Sequence, residues 1–303
     1  MSIGFIGQGF IGKNYADDFE ERGLAIVRYG LEKEYVGNRE AVGACDVVFI
    51  AVPTPTTPKG FDDSILRSAL SLLKSGAIAV IKSTITMGTT ETLQKDFPHL
   101  MVLHAPEFLR EKHAAYDARH PERNIIGIPE QSRRFKQAAE RVLALLPRAP
   151  FQKIMDARAA EMTKYAGNCF LMTKVVFMNA LYDLAQKEGV VWRELAAAMS
   201  ADPRIGASHL EPVHESGHGG GAKRGAGGHC FIKDFAALVD RYARIGDNEG
   251  LRFLEAIEQQ NTHLFVASGK DLDLVQGVYG KSMKPKKRRA AQTMFKKKTG
   301  KAA

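Results

Sequence analysis

Residues 2–12, SIGFIGQGFIG, decide the fold of this chain. A short apolar run that indicates a β-strand leads into glycines spaced G-x-G-x-x-G, and a helical pattern follows and closes at Gly23. In this strand–turn–helix context the glycines let the backbone approach a pyrophosphate, which the helix N-terminus stabilises. The alternative is a purely structural glycine turn. The residues predicted to contact a dinucleotide here are Gly7, Gly9, Phe10, Ile11 and Gly12.

Further apolar runs follow this stretch, and helical patterns separate them. Continuous apolar strands are buried on both faces, which is typical of a parallel sheet covered by helices on both sides. We therefore predict an α/β fold whose N-terminal part, residues 1–155, is a Rossmann-type doubly wound parallel sheet. The runs are residues 24–30 (LAIVRYG), 45–53 (CDVVFIAVP), 76–84 (GAIAVIKST), 99–107 (HLMVLHAPE) and 124–129 (NIIGIP).

The pattern changes near Asp156. More than thirty residues without proline follow, with small and apolar side chains at helical spacing, and this predicts one long helix that is largely buried. Shorter helical patterns continue to about residue 270, interrupted by a Gly/His-rich loop between Ile205 and Cys230. We predict an all-helical second domain over residues 156–270 and a basic, disordered tail over residues 271–303.

Composition places the chain among ordinary globular proteins, with 45% hydrophobic and 25% charged residues in 303. No apolar run approaches the roughly 20 residues that span a bilayer, and the first residues lack the basic region of a signal peptide. Three cysteines, Cys45, Cys169 and Cys230, are too few for a disulfide framework. We expect a reducing, cytoplasmic location without membrane association.

The net charge of +9 is concentrated at one end of the chain. Residues 281–303 hold ten Lys or Arg and no acid, so the preceding 280 residues carry a net charge of −1. Such a segment could bind nucleic acid or an acidic surface through its charge. The favoured interpretation is a solvated end that aids solubility.

The residues after the second strand leave the choice of dinucleotide open. An acidic residue about 20 positions after the glycine motif is expected to bind the adenosine ribose. Arg28 occupies the strand end instead and would favour the 2′-phosphate of NADP, whereas Glu32 could reach the ribose from a shifted position.

Several motifs in one order resemble the UDP-glucose/GDP-mannose dehydrogenase family, over residues 1 to about 265. The resemblance implies NAD as cofactor and oxidation of the primary alcohol of a UDP- or GDP-sugar to a uronic acid by two hydride transfers. It also implies a homodimer formed through the long helix. The motifs are GFIGQGFIG (4–12), VPTPT (52–56), IKSTITMGTT (81–90), APEFLRE (105–111), DPRIGASH (202–209) and GAGGHCFIKD (225–234).

The resemblance assigns a task to each motif. Cys230 corresponds to a nucleophile that forms a thiohemiacetal and then a thioester, and a thiol is a good acyl carrier. Lys164 and Asn168, four residues apart on one helix face, correspond to the groups that stabilise the oxyanion. Asp234 corresponds to a residue that handles protons and water, and Glu107 to one that orients the hydrolytic water. Further cofactor contacts implied are Thr54, Thr84 and Glu111, and substrate contacts are Glu107, Phe108, Leu109, Lys164, Arg204, Gly227 and Lys233.

Three alternatives are weighed against this interpretation. Four histidines between His209 and His229 could hold zinc, but their spacing fits no standard site, so we predict no metal. A non-catalytic Rossmann protein that uses its basic end for nucleic acid has no need of Cys230, Lys164 and Asn168 together. A hydroxyacid dehydrogenase, whose chemistry is a single two-electron step, would leave Cys230 idle.

The chain also departs from the family pattern. Ile232 stands where the family has proline, and the loop before Cys230 is longer than usual. We expect the C-terminal nucleotide-binding domain of the family to be missing, which leaves the identity of the sugar nucleotide open.

Overall fold

A computed structural model describes residues 1–58, 60–216 and 218–288, with the backbone but not the side chain of Glu111. The described chain divides into two compact units. Unit 1 comprises Met1–Pro55 and Phe61–Ala166, and unit 2 comprises Thr56–Gly60 and the residues from Gly167 onward. The division therefore falls inside the long helix rather than at residue 155.

The strands of the chain are short, and most lie in unit 1. Two short 3-10 turns lie at Val36–Asn38 and Glu111–His113. The strands are β1 (Ile3–Ile6), β2 (Ile26–Tyr29), β3 (Val47–Ile50), β4 (Thr56–Thr57), β5 (Gly60–Phe61), β6 (Ile78–Ile81), β7 (Met101–His104), β8 (Arg123–Ile128), β9 (Phe151–Asp156), β10 (Val213–His214) and β11 (Lys223–Arg224).

The helices are distributed over both units. They are α1 (Phe10–Glu21), α2 (Arg39–Gly43), α3 (Ser64–Leu70), α4 (Thr89–Asp96), α5 (Ala114–Arg119), α6 (Arg133–Leu145), α7 (Ala157–Lys187), α8 (Trp192–Ser200), α9 (His229–Ile245), α10 (Asn248–Ser268) and α11 (Leu272–Tyr279).

Unit 1 is built on a seven-stranded sheet of order β2-β1-β3-β6-β7-β8-β9. The pairings are parallel except that of β7 with β8, which is antiparallel. The predicted doubly wound α/β fold is thus confirmed, and the sheet is mostly rather than wholly parallel. Strand β9, which the sequence patterns did not indicate, pairs with β8 along its full length.

The register brings the carboxyl ends of the parallel strands level. Ile6 pairs with Tyr29 on one side and with Ile50 on the other, Ile50 pairs with Ile81, and Ile81 pairs with His104. The residues that follow each strand therefore emerge at one edge of the sheet. The strand order reverses between β1 and β3, and such a switch point is where open α/β sheets bind ligands.

Side chains alternate between the two faces of this sheet and are buried on both. Phe5 and Phe49 stack at 5.0 Å between ring centroids, with Phe19 of α1 edge-on against them, in the layer that α1, α5 and α6 cover. Val48 and Leu66 belong to the opposite layer, which α2, α3 and α4 cover. Two helical layers around the sheet bury the apolar runs that the sequence shows.

The long helix α7 has 31 residues, which corresponds to about 46 Å of helix. Its first turns are fastened within unit 1 by Glu161, whose carboxylate is fully buried. That carboxylate accepts hydrogen bonds from the backbone N–H of Gly88, at 2.5 Å, and of Thr90, at 2.8 Å. Glu161 thereby satisfies two of the amides that the start of α4 leaves without an intrahelical acceptor.

Unit 2 is helical apart from the two-residue strands, and β10 pairs antiparallel with β11. The sequence predicts a disordered tail over residues 271–303, but Leu272–Tyr279 form helix α11. This helix exists because Val275 and Tyr279 are buried against Ile232 and Phe265 of the neighbouring helices. The remainder of the predicted tail from residue 289 lies outside the described residues.

Arg288 is also held in place by unit 2. Its guanidinium contacts Asp240 at 2.5 Å and the fully buried Glu258 at 2.7 Å, and its backbone N–H donates to Glu255.

Of the described residues, none belongs to a helix that is both long and apolar enough to cross a membrane.

Candidate active site

The glycine turn after β1 has the close packing that the sequence predicts. Gly7 has φ of +91°, and a Cβ there would lie 2.4 Å from the carbonyl oxygen of Ala51. A Cβ at Gly12 would lie 1.8 Å from the Gly7 oxygen, whereas one at Gly9 would meet nothing within 4 Å. Gly7 and Gly12 thus serve backbone packing, and Gly9 leaves open space before the first turn of α1. Phe10 is exposed and Ile11 packs against the core.

This open space fits a dinucleotide pyrophosphate. The first backbone N–H groups of α1 have no intrahelical acceptors and carry the positive end of the helix dipole. The N-cap residue Gly9 supplies no side chain to occupy them. The residues that would hold NAD at this edge are therefore Gly7, Gly9 and the first turn of α1.

Arg28 is not available to a cofactor phosphate. Its side chain is only 7% exposed, and the guanidinium contacts Asp17 at 2.7 Å and Glu20 at 2.6 Å. Glu32 is exposed two residues after Gly30, and a Cβ at Gly30 would lie 2.1 Å from its carboxylate. The acidic side chain rather than the cation is thus presented after β2.

Two predicted threonines meet at the same edge. The Thr54 hydroxyl donates to the carbonyl oxygen of Thr84 at 2.7 Å, and both side chains are buried. This bond joins the loops that follow β3 and β6. Glu111 follows β7, and its side chain lies outside the described part of the chain.

Glu107 and Lys164 form a buried ion pair in unit 1. The Lys164 Nζ lies 2.7 Å from Glu107 Oε1, and the side chains are 7% and 4% exposed. The second oxygen of Glu107 accepts the backbone N–H of Leu109 at 2.8 Å. Phe108 between them carries the Arg123 guanidinium on its ring, 3.8 Å from the centroid. The structure therefore joins four predicted residues around one carboxylate.

Lys82 belongs to this buried group, and sequence reasoning missed it. It follows β6 directly, is 4% exposed, and places its Nζ 3.9 Å from the ring centroid of Tyr15. Burial lowers the pKa of Lys82 to about 7, against the opposing effect of the Glu107 charge. The signal was its position at a strand end inside a quoted motif.

In unit 2, Cys230 lies in the first turn of α9 and is exposed. Gly228 precedes the helix with φ of +89°, a conformation that favours glycine. One turn later Asp234 is completely buried. It accepts the amide of Asn168 at 2.6 Å and the ammonium of Lys233 at 2.7 Å. Unit 2 thus brings Asn168 of α7 to Lys233 and Asp234 of α9, the helix that carries the thiol.

The other two cysteines are buried small side chains. Burial raises the pKa of the Cys169 thiol and of the Cys45 thiol, which disfavours the reactive thiolate in both. Cys45 donates instead to the carbonyl oxygen of Ala41 at 3.4 Å. Exposure at a helix N-terminus distinguishes Cys230 from both.

The DPRIG turn is fixed, but its arginine is engaged. Lys174 of α7 donates to the carbonyl oxygens of Ile205 and Gly206 at 2.8 and 3.1 Å. The Arg204 side chain is 87% exposed and pairs with Asp202 at 2.6 Å. Among the described residues of unit 2, the contacts of Arg204 are to Asp202 and not to the group around Asp234.

The predicted substrate residue Gly227 packs on Lys270, the last residue of the predicted helical domain, and on Asp271, the first residue of the predicted tail. A Cβ there would lie 2.2 Å from the carboxylate of Asp271 and 2.9 Å from the Lys270 side chain. No local sequence pattern marks Lys270 or Asp271 as a site residue.

Across residues 1–58, 60–216 and 218–288, no three His, Cys, Asp or Glu side chains cluster as a metal ion would require.

Together the fold and these groups define a Rossmann-type, dinucleotide-binding protein with a helical second unit. Two family models match the chain: the NAD binding domain of the UDP-glucose/GDP-mannose dehydrogenase family over residues 34–145, and the central domain of that family over residues 158–263. The chain belongs to this family, and NAD is its cofactor.

UDP-glucose dehydrogenases are among the proteins that the chain is similar to. The chain is 36% identical over 262 residues to UDP-glucose 6-dehydrogenase of Pseudomonas aeruginosa, covering 78% of this chain and 53% of that protein. It is 31% identical to UDP-glucose 6-dehydrogenase YwqF of Bacillus subtilis, covering 88% and 59%. A solved UDP-glucose dehydrogenase from Pyrobaculum islandicum has a TM-score of 0.72 at 26% identity, covering 86% and 68%. The chain spans about half the length of these curated relatives.

Proposed function

We propose that this chain carries the catalytic part of an NAD-dependent nucleotide-sugar dehydrogenase that oxidises a primary alcohol, as in a UDP-glucose-like substrate, to a carboxylic acid. The observation that carries the proposal is the arrangement on α9. The exposed Cys230 thiol lies one turn before Asp234, which Lys233 and Asn168 hold completely buried. A structural role for the thiol does not require such a buried charge next to it.

The steps balance as follows. The alcohol loses a hydride and a proton to give an aldehyde, and Cys230 adds to its carbon to form a thiohemiacetal. Loss of a second hydride and proton gives a thioester, and water cleaves the C–S bond to release the acid and the thiol. NAD, when bound, accepts one hydride in each oxidation. The net change consumes one alcohol, one water and two NAD, and it yields one acid, two NADH and two protons.

Charged and polar groups of the chain stabilise the thiolate and the oxyanion and orient the water. The N-terminus of α9 favours the Cys230 thiolate through the helix dipole. Lys164 and the Asn168 amide supply hydrogen-bond donors for the oxyanion of the tetrahedral states. The Glu107 carboxylate, already paired with Lys164 at 2.7 Å, serves to orient the water that hydrolyses the thioester.

NAD rather than NADP suits the end of β2. The Arg28 guanidinium is occupied by Asp17 and Glu20, so it offers no hydrogen bonds to a 2′-phosphate. The Glu32 carboxylate would accept hydrogen bonds from the ribose hydroxyls and would repel a phosphate.

The test follows NADH while the protein is supplied with NAD and a panel of UDP- and GDP-sugars. We expect two NADH for each sugar oxidised. Cys230→Ser should lose overall turnover and keep NAD binding, because the hydroxyl is a poor acyl carrier. The matched control is Cys45→Ser, which changes a buried thiol that has no part in the proposed reaction. It should turn over at the parent rate. Parent-rate turnover by Cys230→Ser would exclude the covalent step.

We also propose a homodimer through α7. Large apolar side chains recur every seven residues on this helix within unit 2, and Phe170, Phe177 and Leu184 are 68%, 59% and 53% exposed. Such a stripe is the surface that a second copy of the same helix would cover. Light scattering should give twice the chain mass for the parent and the monomer mass for Phe177→Asp. Leu31→Asp, at a residue 92% exposed elsewhere, should remain dimeric.

A further inference from the structure

The buried ammonium group of Lys270 donates hydrogen bonds to backbone carbonyl oxygens. It is 2% exposed, and its Nζ donates to the carbonyl oxygens of Gly225 at 2.8 Å, His214 at 2.9 Å and Lys223 at 3.1 Å. Three acceptors match the three protons of an ammonium group. Burial lowers the pKa of Lys270 to about 8, with Asp271 opposing, so the ammonium form persists near neutral pH.

Asp271 holds the next part of the same backbone. Its Oδ2 accepts the backbone N–H of Gly228 at 2.9 Å, and its Oδ1 accepts the Ser216 hydroxyl at 2.8 Å. The residue adopts φ of +48°, in the left-handed region that glycine, asparagine and aspartate enter more readily than other residues. The close approach at Gly227 shows that the backbone lies directly on this carboxylate.

The segment so held, residues 223–228, leads directly into α9. Gly228 is the residue before the first turn of that helix, and Cys230 is the second residue in it. Asn261 adds a separate tie, since its amide both accepts from and donates to the Ala226 backbone, at 2.8 and 3.2 Å. A shift of Gly228 would move the start of α9, and the thiol with it.

We propose that Lys270 and Asp271 are positioning residues for Cys230: they fix residues 223–228 and so place the thiol for reaction. The inference rests on the proposed function, because it assigns these residues to the thiol chemistry. Neither residue touches the reacting atoms. Two buried charges that hold a six-residue segment before a nucleophile provide the preorganisation that covalent catalysis needs.

The test compares four variants of the full chain. Asp271→Gly removes the carboxylate and suits the positive φ, so it should fold. Asp271→Asn keeps the shape, and its amide can accept from Gly228 and donate to the Ser216 hydroxyl, so it should rescue. Lys270→Met removes the three bonds, and Lys281→Met is the exposed control. Circular dichroism establishes that each is folded.

We expect the Gly228 amide to exchange its hydrogen at least about tenfold faster in Asp271→Gly, because its acceptor is gone. The Ala226 amide, held by Asn261, should change less. The same variant should lose roughly tenfold or more in kcat, as small misplacements of a catalytic group do, while KM for NAD stays within about twofold. Asp271→Asn and Lys281→Met should keep the parent kcat, and Lys270→Met should lose it.

Parent exchange at Gly228 in Asp271→Gly would overturn the proposal, as would an unchanged kcat in a variant whose Gly228 amide exchanges faster. A fall in kcat shared with Lys281→Met would overturn it equally. Hydrogen exchange needs no substrate. A parent protein that produces no NADH from any sugar nucleotide would therefore count against the proposed function. The exchange rate of the Gly228 amide would still test whether Asp271 holds residues 223–228.

Discussion

Arg288→Met should destabilise unit 2 through the charge that it leaves behind. The Glu258 side chain is completely buried, and Arg288 Nη1 lies 2.7 Å from its carboxylate. Removing one partner of a buried ion pair typically costs about 3–5 kcal/mol, because the other charge stays buried without compensation. Glu258 keeps a hydrogen bond from the Tyr279 hydroxyl at 3.0 Å. We therefore expect a loss near 3 kcal/mol, at the lower end of that range.

The assay is urea denaturation followed by helix circular dichroism, with thermal unfolding beside it. A loss of about 3 kcal/mol corresponds to a Tm lower by roughly 6–12 °C. Lys287→Met is the matched control, since this neighbouring cation is exposed and its removal should stay within about 0.5 kcal/mol. Adding Glu258→Gln to Arg288→Met should recover part of the loss because the buried charge is gone.

The pH dependence gives a second check with a definite sign. Burial raises the pKa of Glu258, and the Arg288 charge opposes that rise. Without Arg288 the folded-state pKa should rise further, so the folded variant binds more protons than the unfolded chain as the pH falls through it. The deficit of Arg288→Met should be greatest above that pKa and shrink toward acid pH. Equal losses for Lys287→Met and Arg288→Met, or a deficit that grows toward acid pH, would refute the reasoning.

Three further outcomes follow from the described contacts. Gly12→Ala should lower stability by about 1–3 kcal/mol through overpacking on Gly7, whereas Gly9→Ala, with nothing within 4 Å of its Cβ, should leave the Tm unchanged and weaken NAD in fluorescence titration. Glu32→Gln should raise KM for NAD about tenfold, the effect of losing one charged hydrogen bond. The ratio of KM for NADP to KM for NAD should therefore be lower in this variant than in the parent. Lys82→Met should raise the free energy of unfolding by about 1–3 kcal/mol at pH 6. The folded-state pKa of Lys82 is lowered to about 7, so the parent becomes more stable as the pH rises above that value. Urea titrations should therefore show that the advantage of Lys82→Met over the parent shrinks toward pH 9.5.

Local pattern was enough to predict the sheet and the positions of its loops. Apolar runs separated by helical patterns indicate a sheet buried on both faces, and parallel strands must end at a common edge. The glycine spacing after β1 likewise predicts a tight turn before a helix, since Gly7 and Gly12 have no room for a Cβ. These features depend on residues close together in sequence, and the chain alone reveals them.

The prediction weakened where strand direction and helix formation depend on distant partners. The antiparallel pairing of β7 with β8 and the edge strand β9 have no separate signature in the sequence. The eight residues of helix α11 stand before a run of lysines, and the sequence therefore predicts a tail there. Burial of Val275 and Tyr279 against α9 and α10 is what makes it a helix.

The sequence by itself determined the doubly wound fold, the glycine turn and which side chains are chemically suited to a site. Only the tertiary structure decided which of them are held. Arg28 is committed to Asp17 and Glu20, Asp234 is buried between Lys233 and Asn168, and Lys270 with Asp271 fastens a backbone more than 40 residues earlier in the chain. The physical reason is that a buried charge is stable only where the folded backbone supplies its partners, and no spacing along the chain specifies partners so distant.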